Sequence, residues 1–265
     1  MRYGPEVQRN SGNHMRKIIV IPTRYASTRL PGKPLREIAG KPLIRHVFER
    51  ACESRLADEI VIATDDQRIE DAALSFGAVV AMTSPLCESG TDRVYEAVKG
   101  KDADIVVNLQ GDEPFMDASL IDGLFSVIEE ERLYMATVCS PVVNEGEYLD
   151  TNTVKVVLDR DSHALYFSRS PIPYLSNPKS QISNLKSIYK HIGIYGFSMK
   201  FLSQFVSMDK GVLEKTESLE QLRVLENGYR IRVLIADYDG FGIDTEGDLK
   251  RAENLFRRLS RKAKK

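Results

Sequence analysis

Four short and almost wholly apolar runs, rich in β-branched residues, recur in the first 110 positions of this 265-residue chain. They lie at residues 18–21, 60–63, 78–81 and 105–109. A short run without polar alternation is typical of a strand that is buried on both faces, as in a parallel sheet. Segments with helical spacing of apolar residues separate the runs, for example at residues 43–51. This alternation predicts an α/β fold with a doubly wound, mostly parallel sheet.

The pattern changes in the second half of the chain, where strand-like segments follow one another with little helix between them. Residues 153–159 and 164–169 are predicted to form a hairpin, and residues 188–197 a further strand. Residues 175–187 are polar and irregular, which predicts a loop. We therefore expect a smaller mixed or antiparallel subdomain at about 130–205. Beyond it, an apolar stripe ended by Gly228 predicts a helix at residues 217–228.

A polar loop rich in cations follows the first apolar run. It carries three cations, two hydroxyl side chains and a glycine, namely Arg24, Arg29, Lys33, Ser27, Thr28 and Gly32. Open α/β sheets bind their ligands at the carboxyl ends of the strands, so the loop favours a polyanion such as a nucleoside triphosphate. An ordinary basic surface loop is the alternative. The chain has neither the G-x-x-x-x-G-K-[ST] nor the G-x-G-x-x-G pattern, which argues against a P-loop NTPase and a dinucleotide-binding domain.

Acidic residues at strand ends and helix starts have two interpretations each. Asp112 follows the run at 105–109, where a carboxylate suits Mg²⁺ together with phosphate oxygens. The alternative is that Asp112 is an ordinary polar residue of a turn. Asp244, or the neighbouring Thr245, is predicted to cap the closing helix. Arg93 falls in the first turn of a predicted helix, where the helix dipole disfavours a cation, and this indicates an anionic partner.

Composition narrows the classes of protein that remain. The chain has 37 lysine and arginine residues and 38 acidic residues, a net charge of −1. It therefore has no overall excess of positive charge that would attract nucleic acid. The apolar runs are too short for a membrane span, so no membrane partner is expected. Three cysteines without a C-x-x-C pair fit a cytoplasmic protein. Residues 1–14 are polar and are expected to be a disordered extension, with residues 15–265 forming a single α/β domain.

Eight motifs lie in order along the chain at residues 22–34, 63–65, 89–93, 110–114, 166–173, 191–196, 219–223 and 244–249. Together they resemble the motifs of one enzyme family, the 3-deoxy-manno-octulosonate cytidylyltransferases. The resemblance implies a nucleotide-diphospho-sugar transferase-like fold. It also implies an Mg²⁺-dependent, cytoplasmic homodimer that joins CTP and 3-deoxy-manno-octulosonate (Kdo) into CMP-Kdo, releases pyrophosphate and serves lipopolysaccharide biosynthesis. A cytidylyltransferase for a sialic acid or an amino-Kdo, and a catalytically silent nucleotide-binding module, are the alternatives.

The resemblance also implies roles for individual residues. Arg24, Ser27 and Lys33 would hold the triphosphate with Arg29 nearby, Ala63, Gly90 and Arg93 would surround the cytidine, and Asp112 and Asp244 would ligate magnesium. The sugar acid would be held by Gln110, Arg169, His191, Tyr195, Glu220 and Gln221. Lys33, Arg24, Asp112 and Asp244 are then the expected catalytic set. For His191 a role as general base is the alternative to sugar binding.

Overall fold

The computed structural model describes residues 14–26, 30–176 and 187–262. The described residues form two compact units, one up to residue 122 and again from residue 240, the other from 123 to 239. The second unit contains the segment expected as a subdomain and extends beyond it at both ends. Most of the predicted extension at residues 1–14, and most of the predicted loop at 175–187, lie outside the described residues.

The helices and strands follow the alternation expected from the sequence. The strands are β1 (Lys17–Pro22), β2 (Glu37–Ile38), β3 (Lys41–Pro42), β4 (Glu59–Thr64), β5 (Val79–Met82), β6 (Ile105–Leu109), β7 (Met135–Pro141), β8 (Lys155–Leu158), β9 (Ala164–Ser168), β10 (Tyr189–Ser198) and β11 (Arg232–Ile235). The helices are α1 (Leu43–Ala51), α2 (Gln67–Ser75), α3 (Gly90–Val98), α4 (Ala118–Glu131), α5 (Glu145–Leu149), α6 (Met199–Phe205), α7 (Val212–Glu217), α8 (Leu222–Glu226) and α9 (Glu246–Lys262). A short 3₁₀ helix spans Lys33–Leu35.

The first unit is built on a parallel sheet in which β1 is central. It pairs in parallel with β4 on one side and with β6 on the other, and β4 pairs in parallel with β5. Ile18, Ile19, Val20 and Ile21 are fully buried, which confirms for β1 the prediction of a strand covered on both faces. The same prediction is wrong for β5, which lies at the end of the strand order and exposes Val79. The chain therefore moves outward from β1 through β4 to β5 and then returns to β6. That reversal places a topological switch point between the carboxyl ends of β1 and β6.

Gly111 allows the two strand ends at this switch point to approach closely. A Cβ atom at this position would lie 2.9 Å from the carbonyl oxygen of Pro22 and 3.2 Å from Cβ of Thr23. Backbone cannot move aside as a flexible side chain can. Only glycine therefore brings the turn after β6, which carries Asp112, this close to the end of β1.

The second unit is a mixed sheet. Strand β10 pairs antiparallel with β7 and β8, strands β8 and β9 form the predicted hairpin, and β11 pairs in parallel with β7. The pairing of β10 with β7 is irregular between Ile192 and Tyr195. Among the described residues, no helix has the length and hydropathy of a membrane span.

The prediction of one helix over residues 217–228 is wrong. Helix α7 ends before Ser218, whose φ of 54° lies in the left-handed region, and α8 begins only at Leu222. A buried ion pair accounts for the break: the Nε and Nη2 atoms of Arg223 donate to the two carboxylate oxygens of Glu214 at 2.7 and 2.6 Å. In a continuous helix these residues would be separated by about 13 Å along the axis. The turn at 218–221 folds Arg223 back onto its partner.

We predict that Gly111→Ala lowers the free energy of unfolding by about 1–3 kcal/mol, because the added methyl group forces two backbone segments apart. Gly247→Ala is the matched control, since its Cβ would meet nothing closer than 3.4 Å in the exposed first turn of α9. Chemical denaturation of both variants measures the difference. Equal stability of the two would contradict the close approach at the switch point.

Candidate active site

A cavity of about 320 Å³ opens at the switch point of the first unit. It is enclosed by the segment after β1, the turn after β6, the start of α3 and the segment before α9. Its lining residues are Pro22, Thr23, Arg24, Ala26, Lys33, Pro34, Cys87, Glu88, Ser89, Gly90, Arg93, Gln110, Gly111, Asp112 and Asp244. The volume suits a small-molecule ligand.

A more open groove of about 620 Å³ lies elsewhere in the same unit, between the β2–β3 hairpin and α9. Its charged residues are two acids and two bases, and one of the acids is already engaged. Glu253 accepts a hydrogen bond from the amide of Ala39 and forms an ion pair with Arg257 at 2.7 Å. The cavity at the switch point is therefore the better candidate, since it gathers the predicted site residues.

Gly32 sets the direction of Lys33. It has φ of 65° and immediately precedes the 3₁₀ helix that begins with Lys33. A Cβ atom on Gly32 would lie 3.0 Å from Oη of Tyr25, whose ring is covered by the Arg68 guanidinium at 3.3 Å. Both the positive φ and the neighbouring ring require glycine here, and the result is that the Lys33 side chain enters the cavity.

The ammonium group of Lys33 lies between two carboxylates. Its Nζ atom donates to Oδ2 of Asp112 at 2.6 Å and to Oδ1 of Asp244 at 3.0 Å. Burial alone would lower the pKa of Lys33, but the charges and hydrogen bonds of the two aspartates outweigh burial. The pKa of Lys33 therefore lies above its ordinary value of 10.5, and the group stays charged. Three of the four predicted catalytic residues, Lys33, Asp112 and Asp244, meet at one point although 211 positions separate the first from the last.

The sequence left open whether Asp244 or Thr245 caps the closing helix, and the structure shows that Asp244 does not. Thr245 takes that place: its Oγ1 accepts from the amide of Asp248 at 3.2 Å, and Asp248 accepts in return from the amide of Thr245 at 2.9 Å. This reciprocal capping leaves the Asp244 carboxylate directed at Lys33. A backbone hydrogen bond from Ile243 to the carbonyl of Asp112, at 2.9 Å, ties the two segments together.

The donor set of the cavity fits a divalent cation that arrives with a polyanion. Three cations face three carboxylates there: Arg24, Lys33 and Arg93 against Glu88, Asp112 and Asp244. Within the described part of the chain, no group of three or more His, Cys, Asp or Glu side chains is arranged to hold a metal ion. Two carboxylates completed by phosphate oxygens and water are the coordination that Mg²⁺ prefers. The oxygens of Asp112 and Asp244 suit that role.

Arg93 has the anionic partner that its position in the first turn of α3 indicated. Its guanidinium is buried, lies 3.1 Å from a carboxylate oxygen of Asp65, and donates to Oγ1 of Thr83 at 2.5 Å. Of the adjacent residues Asp65 and Asp66, only Asp66 caps α2, accepting from the amide of Arg68 at 3.0 Å. The contact of Asp65 with Arg93 was missed in the sequence, although the two adjacent aspartates gave a signal. A helix has only one N-cap residue, so the second aspartate needed another partner.

The remaining residues predicted for the nucleotide differ in their placement. Arg24 is exposed in the cavity and makes no hydrogen bond or ion pair with any described residue. Gly90 lines the cavity wall at the start of α3. Ala63 is fully buried outside the lining, and its carbonyl accepts from the amide of Thr23 at 2.8 Å. Ser27 and Arg29 lie outside the described residues.

Gln110 belongs to a different unit from the other residues that the resemblance assigns to the sugar. It lines the cavity of the first unit, and its Nε2 donates to Oδ1 of Asn108 at 2.9 Å. The five others, Arg169, His191, Tyr195, Glu220 and Gln221, belong to the second unit.

Within the second unit, Arg169 is held by neutral groups. Its Nε donates to the carbonyl of Glu217 at 2.9 Å and its Nη1 to the carbonyl of Thr151 at 3.2 Å. The Glu217 carboxylate instead accepts from the Arg169 amide and from the Ser168 hydroxyl. The guanidinium forms no ion pair with a described carboxylate, so its charge is available to an anionic ligand.

His191, Tyr195 and Gln221 form a compact group in the same unit. The His191 and Tyr195 rings are 5.3 Å apart, and the Tyr195 hydroxyl donates to Oε1 of Gln221 at 3.2 Å. Burial lowers the pKa of His191 to about 3 and, with the nearby charge of Glu220, raises that of Tyr195 well above its ordinary value. Nε2 of the buried Gln221 has no hydrogen-bond partner in the described part of the chain. Buried polar groups are nearly always hydrogen-bonded, so this donor is available to a ligand.

Comparisons with known proteins agree with this arrangement. A sequence family described as cytidylyltransferase matches residues 18–231. The chain is 46% identical over 252 residues to a 3-deoxy-manno-octulosonate cytidylyltransferase of Thermodesulfovibrio yellowstonii, covering 92% of this chain and 99% of that protein. It is 43% identical over 244 residues to an 8-amino-3,8-dideoxy-manno-octulosonate cytidylyltransferase of Shewanella sp. (strain ANA-3), covering 90% and 98%.

A solved structure, described as CMP:2-keto-3-deoxy-manno-octonic acid synthetase complexed with CTP, superimposes with a TM-score of 0.86 at 40% identity, covering 92% of this chain and 99% of that one. The chain therefore belongs to the cytidylyltransferase family. Within that family its relatives group it with the 3-deoxy-manno-octulosonate cytidylyltransferases, as the motifs predicted.

We predict that Asp65→Ala lowers the free energy of unfolding by about 2–3 kcal/mol, because it leaves the buried Arg93 guanidinium without its charged partner. Asp66→Ala, one position away, removes the cap of α2 and an exposed ion pair with Arg68, and is expected to cost about 1 kcal/mol. Urea denaturation compares the two variants, and titration with CTP is expected to show weaker binding for Asp65→Ala alone. Indistinguishable variants would mean that the pairing with Arg93 has no energetic role.

Proposed function

We propose that this chain couples CTP and Kdo to CMP-Kdo and releases pyrophosphate, as a step of lipopolysaccharide biosynthesis. The observation that carries the proposal is the meeting of Lys33, Asp112 and Asp244 in a cavity at the switch point of a parallel sheet. Phosphoryl-group transfer between two anionic substrates needs cations and metal-binding oxygens in one place. This cavity supplies both.

Cations of the first unit are proposed to hold the nucleotide. Arg24 has no described partner and is exposed in the cavity, so it can bind the triphosphate without first losing an ion pair. Lys33 contributes a second positive charge, and Ser27 and Arg29 are proposed to complete the triphosphate site by the family resemblance. Arg93, oriented by Asp65, is proposed to donate to the cytosine ring, with Gly90 and Ala63 nearby.

Asp112 and Asp244 are proposed to ligate Mg²⁺. Without a cation their charges would repel the triphosphate, since Lys33 neutralises only one of the two carboxylates. When bound, the metal would neutralise phosphate charge and polarise the phosphorus centre that is attacked. The protein's own part is to hold the two carboxylates at a fixed separation through the Ile243–Asp112 backbone hydrogen bond and the Thr245 cap.

Residues of the second unit are proposed to bind the sugar acid, and Gln110 of the first unit is assigned to the sugar by the family resemblance. Arg169 suits the carboxylate, because two carbonyls hold its guanidinium and no described carboxylate neutralises it. Tyr195, Gln221, Glu220 and His191 suit the hydroxyl groups. With a pKa of about 3, His191 is a weak base near neutral pH, which favours binding over the alternative of general-base catalysis.

The reaction that fits these residues is a direct displacement. The anomeric hydroxyl oxygen of Kdo bonds to the α-phosphorus of CTP and its proton passes to solvent, while the bond to the bridging oxygen breaks and pyrophosphate leaves with the electron pair. Positioning and charge stabilisation supply most of the catalysis in such a step. No covalent intermediate on the protein is required. Mg²⁺ dependence, a homodimeric state and a cytoplasmic location are further parts of the proposal.

A second candidate uses 8-amino-3,8-dideoxy-manno-octulosonate in place of Kdo. A relative that is 43% identical over nearly its whole length carries that name, so identity alone does not separate the two sugars. The candidates share the nucleotide, the reaction and every residue role proposed above. They differ at one group of the sugar, a hydroxyl against an amine.

Pyrophosphate release from CTP and Mg²⁺ tests the proposal, with Kdo, the 8-amino sugar and a sialic acid offered in parallel. We expect release with Kdo. Release only with another acid would keep the reaction and change the substrate. CTP binding without release for any sugar would leave a catalytically silent nucleotide-binding module. Asp112→Asn is the inactive control and Glu113→Gln the matched active one, because Glu113 adjoins Asp112 but does not line the cavity.

A further inference from the structure

Thr137 of β7 lies where the pairing of β7 with β10 is interrupted. Ile192 of β10 pairs with Val138 of β7, and the next paired residue of β10, Tyr195, pairs with Thr137. The pairing therefore moves three residues along β10 but only one along β7. The Thr137 side chain is fully buried. Its hydroxyl forms hydrogen bonds with the backbone of this irregular segment of β10, and it also contacts the ring of His191.

Thr137 has one hydroxyl proton, and the geometry shows where it goes. Oγ1 lies 2.7 Å from the carbonyl oxygen of Ile194, 3.5 Å from that of Ile192 and 2.9 Å from Nε2 of His191. Two oxygens at 2.7 Å need a proton between them, so the hydroxyl donates to Ile194. A hydroxyl that has donated its proton can only accept from the imidazole. Nε2 of His191 therefore carries hydrogen.

The other nitrogen of His191 is then an acceptor. A neutral imidazole has one N–H and one lone pair, so protonation at Nε2 leaves the lone pair on Nδ1. Burial keeps the ring neutral, as the lowered pKa shows. Nδ1 makes no hydrogen bond with any residue that the structure describes. The rings of Phe167 and Tyr195, at 5.0 and 5.3 Å, pack against the imidazole and limit its rotation.

We propose that Thr137 is a positioning residue that holds His191 as the Nε2–H tautomer, so that Nδ1 accepts a hydrogen bond from a hydroxyl group of the sugar acid. This inference rests on the proposed function for the identity of the ligand. The tautomer does not, because it follows from contacts inside the second unit. A site with a fixed acceptor favours sugars that present a donor there and disfavours analogues that lack one.

Two variants separate positioning from packing. Thr137→Val keeps the shape of the side chain and removes the hydroxyl, so the imidazole loses the acceptor that selects its tautomer. Thr137→Ser keeps the hydroxyl and loses a methyl group. We expect Thr137→Val to raise the KM for Kdo about tenfold, the effect of losing one well-placed hydrogen bond, with the KM for CTP unchanged. Thr137→Ser is expected to restore the KM for Kdo.

Nitrogen-15 NMR of the imidazole in the substrate-free full chain reads the tautomer directly. His191 is assigned by the signal lost in His191→Gln. The wild-type protein and Thr137→Ser are expected to show a protonated Nε2 and an unprotonated Nδ1 at neutral pH. Thr137→Val is expected to show a changed tautomer population. A wild-type spectrum with hydrogen on Nδ1 overturns the proposal without any variant needing to fold.

The kinetic arm distinguishes this proposal from the proposed function. An altered tautomer in Thr137→Val with an unchanged KM for Kdo would overturn the contact between Nδ1 and the sugar, while wild-type pyrophosphate release would still uphold the reaction. Wild-type protein that releases no pyrophosphate with any sugar would overturn the function and, with it, the sugar contact. The NMR result would still decide the assignment of the tautomer to Thr137.

Discussion

The ammonium group of Lys33 and the two carboxylates that it joins are the interaction on which the site depends. Asp112 and Asp244 are 79 and 211 positions from Lys33 in the chain, and each would repel the other without a cation between them. Their approach requires the parallel sheet, because the reversal of strand order brings the ends of β1 and β6 together. It also requires the two glycines at positions 32 and 111, which permit the turns around them.

Sequence reasoning predicted the scaffold of the first unit well, and the physical cause is simple. A strand buried on both faces must be apolar throughout, and the shortness and β-branched content of residues 18–21 favour such a strand over a buried helix. The hairpin of β8 and β9 was predicted for a similar reason, because two alternating segments with a short polar connection have few other arrangements. Local patterns of this kind depend only on near neighbours in the chain.

Features that depend on distant partners were harder to predict. The helix expected over residues 217–228 has a good apolar stripe, yet the buried pair of Glu214 and Arg223 breaks it. Asp244 and Thr245 are both good caps by residue type, and the pairing of Asp244 with the distant Lys33, while Thr245 and Asp248 cap α9, was not evident from the sequence. The role of Asp65 was also hard to predict, because its partner Arg93 lies in α3 whereas Asp65 precedes α2. The irregular pairing of β10 sets the surroundings of His191, but an alternating sequence pattern does not predict where such an irregularity occurs.

Charge is distributed differently among the residues proposed for the two substrates. In the cavity of the first unit, cations and carboxylates are matched in number, so a polyanion that binds with a metal ion disturbs this balance less than a polyanion alone. In the second unit, Arg169 is held by carbonyl groups and has no described carboxylate partner, while burial keeps His191 neutral. A nucleotide bound with its metal, and a sugar acid bound by one arginine and neutral donors and acceptors, are the ligands that these arrangements favour.

The dependence of CTP affinity on Mg²⁺, measured by titration calorimetry, tests the central claim most directly. The wild-type protein and a variant carrying both Asp112→Asn and Asp244→Asn are each titrated with CTP, once with Mg²⁺ and once with a chelator. We predict that the wild-type protein binds CTP far more tightly with Mg²⁺, while the double variant binds it almost equally in both conditions. The variant has lost both the metal ligands and the charges that repel the triphosphate. The same Mg²⁺ dependence in both proteins would contradict the assignment of Asp112 and Asp244 to a metal–nucleotide site.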